Sequence, residues 1–154
     1  MTQQRLNYFA VAPKALEPLL ALEAYIKQSS LEPLLIDLVK TRASQINGCA
    51  YCLHMHTSDA VAQGENPARL FLLEAWEESA MYSPRERAAL AWTEALTRVA
   101  DTHAPDAVYE GLKPHFSDAE IVDLSVLIAA INSWNRLAIG FRAHHPHDRV
   151  KVAA

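Results

Sequence analysis

The chain has 154 residues, of which 51% are hydrophobic, 8% aromatic and 21% charged, with four glycines, eight prolines and two cysteines. This composition excludes intrinsic disorder, collagen and a disulfide scaffold, and it predicts a single domain over residues 1–154. Lys+Arg 14 against Asp+Glu 18 gives a formal charge of −4, which leaves no basic footprint for nucleic acid.

At the N-terminus, Met1 to Leu20 lacks the basic, apolar and small-residue order of a signal peptide. A first helix is predicted over Pro13 to Gln28, with Leu16, Leu19, Leu20, Ala24 and Ile26 at apolar positions and Pro18 blurring its start. Ser30 is a candidate cap for a second helix expected to begin around Glu32-Pro33, where the missing proline N–H has no helical partner to lose. Asn47-Gly48 ends it, the pair best suited to a left-handed turn. A third helix begins at or beside Cys49 and stops at Gly64, and a fourth runs from Asn66-Pro67 through Glu77. Ser83-Pro84-Arg85-Glu86 is a capping box that opens a fifth helix to about Ala100. A short helix follows from Pro105 to Leu112. The second capping box, Ser117-Asp118-Ala119-Glu120, launches a long apolar helix through Ile121, Leu124, Leu127, Ile128, Ile131, Trp134 and Leu137 to Gly140.

Strand-like alternation is missing throughout, so the expected fold is an all-α bundle of about six to seven helices. The strongly apolar stretch from Ile121 to Ile131 falls well short of the roughly 20 residues a bilayer needs. A soluble cytoplasmic protein with no membrane partner is expected. The last helix is apolar over more than one face, which predicts either the centre of a bundle or a subunit interface.

In a reducing compartment, two cysteines close in sequence point to catalysis, redox chemistry or metal binding rather than to a structural staple. The informative segment is Asn47-Gly48-Cys49-Ala50-Tyr51-Cys52-Leu53-His54-Met55-His56. At about 100° per residue, Cys49, Cys52 and His56 share one face of a helix and His54 points away. The first turn of a helix favours a thiolate through its unpaired N–H groups and dipole. Such a pair can attack a peroxide and resolve the product as an intramolecular disulfide. His56 is placed to move a proton, and Asp37, on the preceding helix, is its candidate acidic partner. Zinc on Asp37, Cys49, Cys52 and His56 is the rival reading, weakened because His56 sits on the same short helix as both thiols. His144, His145 and His147 read as a polar tail, since Pro146 breaks any helical ligand spacing.

The run from Leu38 to His56 resembles the core of the alkylhydroperoxidase D-like proteins of the carboxymuconolactone decarboxylase superfamily. Tyr82 to Thr97 and Ala129 to Ala138 are similar to the same group, and the core carrying the Cys-x-x-Cys spans 31–64. The resemblance implies an oligomeric all-helical fold, a hexamer or a trimer. It implies reduction of organic or hydrogen peroxide, with Cys52 attacking, Cys49 resolving and His56 in a proton relay. The glutamate of that relay falls on Asp37, one methylene shorter. No bound cofactor or metal is implied; an external dithiol or a lipoylated protein would return the electrons. The alternatives are a redox sensor that oxidises once, and a cofactor-free decarboxylase that does not need the thiols.

Overall fold

The computed structural model describes residues 3–144, among which there are nine α-helices, one 3-10 turn and no strand. In chain order the helices are α1 (Tyr8–Val11), α2 (Pro13–Gln28), α3 (Pro33–Asn47), α4 (Ala50–Ala62), α5 (Pro67–Leu72), α6 (Pro84–Thr97), α7 (Val99–Thr102), α8 (Asp106–Glu110) and α9 (Asp118–Phe141). The 3-10 turn, Leu73–Ala75, follows α5.

Nine helices replace the expected six or seven for local reasons. Asn7 caps the short α1 by accepting from the Ala10 N–H. The helix expected through Glu77 stops at Leu72 and tightens into the 3-10 turn; no glycine or proline lies in 68–82 to mark that stop. The helix expected to reach Ala100 is interrupted at Arg98, whose φ of −104° and ψ of 32° are not helical, and α7 resumes after it. Beyond the expected end at Gly140, α9 continues to Phe141 and closes on Arg142 in the left-handed region. Of the tail histidines, His145 and His147 lie outside the described residues.

Both capping boxes form. Ser83 accepts from the Glu86 N–H while Glu86 accepts from that of Ser83, and Ser117 and Glu120 repeat the exchange. These reciprocal bonds satisfy N–H groups that a helix start otherwise leaves unpaired. The resulting α6 and α9 pack with α3 around a core that includes Val39, Trp92, Leu124, Leu127 and Ile128.

The innermost helix is α3, in which every residue from Leu35 to Ser44 is buried. That stretch contains Asp37, Lys40 and Arg42. Buried charges need partners, and each has one: Lys40 Nζ lies 2.5 Å from Glu23 of α2, Arg42 Nε donates to Glu94 of α6 at 2.9 Å, and Asp37 accepts from Gln63 at 2.6 Å. The 24-residue α9 has the length and composition of a bilayer span, yet Ile121, Leu124, Leu127, Ile128 and Ile131 are buried in the bundle.

Candidate active site

The turn between α3 and α4 sets the site. Gly48 takes φ 69° and ψ 36°, a left-handed conformation that costs glycine nothing and strains a residue with a Cβ. Its N–H and that of Cys49 return to the last carbonyls of α3, folding α4 back along it. Cys49 thereby becomes the N-cap of α4, and its sulfur accepts from the Cys52 N–H at 3.4 Å.

Both cysteines are free, and their sulfurs are hydrogen-bonded to each other at 2.7 Å. The thiols are 1% and 2% exposed, in an apolar cluster with Ala43, Ile131 and Ala138. One charge shared between two sulfurs settles on Cys49, whose pKa falls from its ordinary 9.0 to about 7. Donation by the Cys52 thiol is the main cause, opposed by burial and aided by the Cys52 N–H and the Asn135 amide. Cys52 moves up for the matching reasons: it gives its proton to Cys49, it is buried, and it stands beside Cys49's charge.

Of the two cysteines, Cys52 is the one that borders open space. It lines a cavity of about 680 Å³ together with Tyr8, Tyr51, Met55, Trp134, Asp37 and His56. His56 and Asp37 are buried, and His56 Nδ1 stands 3.6 Å from Asp37 Oδ1, beyond hydrogen-bond range. The structure thus brings all four sequence-identified residues to one place: Cys49 and Cys52 in contact, and Cys52, His56 and Asp37 around the cavity. His54 is only partly buried and does not line it.

Sequence reasoning missed the polar rung beneath the thiols. Asn135 of α9 is 1% exposed, donates to Ser44 Oγ at 3.0 Å and accepts from Asn47 Nδ2 at 2.8 Å. Asn132 accepts from the same Asn47 nitrogen and donates to Thr97. The three-residue step from Asn132 to Asn135 places both on one helix face, but that signal is weak against the apolar run around it.

A family model for the carboxymuconolactone decarboxylase family matches residues 12–95, more than half of the chain and all of the α3–α4 hairpin. The chain belongs to the carboxymuconolactone decarboxylase family. Its fold within that family is AhpD-like. A protein of unknown function from Agrobacterium tumefaciens, whose suggested role is antioxidant defence protein AhpD, superposes with a TM-score of 0.91 at 46% identity, covering 94% of this chain and 99% of that one. The uncharacterized protein YdfG of Bacillus subtilis is 43% identical over 88% of this chain and 92% of its own length. The debrominase Bmp8 shares the fold at TM-score 0.75 and 19% identity, covering 86% of this chain and 72% of that one.

For this member of the carboxymuconolactone decarboxylase family, the shifted thiols fix a pH response. Cys49, held low in the folded state, contributes stability that is present above its ordinary 9.0 and lost as pH falls through about 7. Cys52, held high, contributes the opposite way, losing stability as pH rises above the ordinary thiol value. The reduced protein is therefore expected to gain denaturant resistance from pH 7 to 9 relative to Cys49→Ser. Ultraviolet thiolate absorbance should show one thiol ionising near pH 7, and an absorbance flat across that range would contradict the assignment.

Proposed function

We propose that this protein is a cysteine-dependent peroxidase that reduces organic or hydrogen peroxide through a dithiol–disulfide cycle. The observation that carries the reading is the contacting thiol pair at the start of α4, with Cys52 bordering a cavity that also presents His56 and Asp37. In the reaction, the Cys49 thiolate takes the proton of Cys52. The Cys52 thiolate then attacks the peroxide, its sulfur bonding the distal oxygen as the O–O bond breaks. His56, backed by Asp37, protonates the departing alkoxide to the alcohol. Cys49 next displaces hydroxide from the Cys52 sulfenic acid, and water and a disulfide result. Two thiols and one peroxide thus give one disulfide, one alcohol and one water. An external dithiol or a lipoylated protein restores the pair by exchange, and no bound cofactor enters the cycle.

We extend the reading to a homo-oligomer of three or six subunits acting in a reducing cytoplasm; the apolar residues exposed on adjoining helices, Phe9, Leu20, Tyr25, Val122 and Ile139, support contact between copies of the chain. With dihydrolipoamide as donor, many equivalents of peroxide should be consumed per subunit, and alkylating the thiols should stop the reaction. Consumption that ends after one equivalent would instead identify a redox sensor. Turnover of a muconolactone acid unaffected by alkylation would identify a decarboxylase.

A further inference from the structure

We infer that Asp37, His56 and Asp59 form a binding site for a divalent transition-metal ion of zinc's chemistry beside the dithiol. Asp37 comes from α3; His56 and Asp59, three residues apart, come from one face of α4. One donor atom from each lies within 4.8 Å of the other two.

A second observation points to a ligand at this place. His56 is 6% exposed, and its Nδ1 is a buried polar atom with no hydrogen-bond partner. Buried polar atoms are normally paired, and an orphan marks a place where an ion or a water belongs. The ion-pair neighbour of His56 Nδ1, Asp37 Oδ1, is 3.6 Å away. That gap is too long for a hydrogen bond, but it suits two donors on a common ion. Ligands about 2.1 Å from zinc at a tetrahedral angle stand about 3.4 Å apart.

The surroundings fit a cation. Gln63 Nε2 donates to Asp37 Oδ2 at 2.6 Å, which orients the carboxylate as outer-shell partners of metal ligands do. Two carboxylates and a neutral imidazole balance a dication. Of the lysines lining the same cavity, Lys40 is bound to Glu23 at 2.5 Å, while Lys27 contributes opposing charge. Asp59 is exposed, so the ion has access from solvent and a water can complete its coordination. Because Asp37 and His56 also form the proposed proton relay, occupancy would withdraw both from peroxide chemistry.

The metal itself gives the test, which keeps it separate from the peroxidase reading. The full-length untagged reduced protein is titrated with zinc in a calorimeter and with cobalt by visible absorption. One ion per subunit is expected. Asp59→Asn, at an exposed position where folding is not at issue, should weaken binding roughly tenfold or more, as should His56→Gln. Replacing both cysteines by serine, or His144, His145 and His147 by glutamine, should leave affinity within a few fold. The inference is overturned by absence of stoichiometric binding in the parent, by an Asp59→Asn protein that binds as tightly as the parent, or by loss of binding on cysteine-to-serine or tail replacement alone.

Discussion

Cys52→Ser is expected to lower steady-state peroxide consumption by about a thousandfold or more, down to the uncatalysed rate, because a hydroxyl at that position cannot supply the attacking thiolate. Serine is close to cysteine in size, and the site is a small apolar cluster, so the fold should survive. Circular dichroism and the denaturant midpoint check that the loss is chemical. Cys49→Ser should also stop turnover, but at a different stage. With no second thiol to resolve it, the Cys52 sulfenic acid should persist after one equivalent of peroxide and be captured by dimedone.

The two variants separate two sulfurs that have different claims. Cys49 is the better host for negative charge, held at about 7 by the Cys52 thiol and by amide donors. Cys52 borders the cavity and Cys49 does not. If access decides, dimedone labels Cys49→Ser and leaves Cys52→Ser unlabelled. The opposite labelling pattern would move the attack to Cys49 and overturn the order of events proposed for the cycle. Access should decide here, since both thiols are almost wholly buried and of the two cysteines Cys52 alone lines the cavity.

Features governed by near neighbours along the chain are legible in the amino-acid sequence. Capping boxes at Ser83 and Ser117, the left-handed Gly48, the contact of Cys49 with Cys52 across the first turn and the one-turn step from Cys52 to His56 each depend on a few adjacent residues and on helix geometry. The burial of α3 is not legible in that way. Nothing local marks Asp37, Lys40 and Arg42 as buried; their partners Gln63, Glu23 and Glu94 are all distant in sequence. The same holds for the 3-10 turn at Leu73–Ala75, which no glycine or proline announces. The functional consequence is that α3, not the more apolar α9, is the enclosed helix, and the carboxylate it carries is held within the bundle beside His56.

Asn135 joins that buried framework to the thiols, and it carries the second large expected effect. Asn135→Ala removes the donor to Ser44 Oγ and one of two acceptors for Asn47 Nδ2, leaves a small void, and deletes an amide that stabilises a thiolate at either sulfur. An unpaired buried polar group costs about 1–3 kcal/mol and the void adds to it, so a loss of about 2–4 kcal/mol in unfolding free energy is expected. If the residue served packing alone, the thiols would titrate as before. Because its amide helps hold Cys49 low, the ionisation near pH 7 should instead move upward. Asn135→Asp sharpens the contrast: it keeps the size and the acceptor for Asn47, but its carboxylate repels a neighbouring thiolate and should drive the ionisation higher still. Thiolate absorbance against pH for the parent and both variants is the deciding measurement. An unchanged midpoint in all three would leave Asn135 a structural strut with no influence on the chemistry above it.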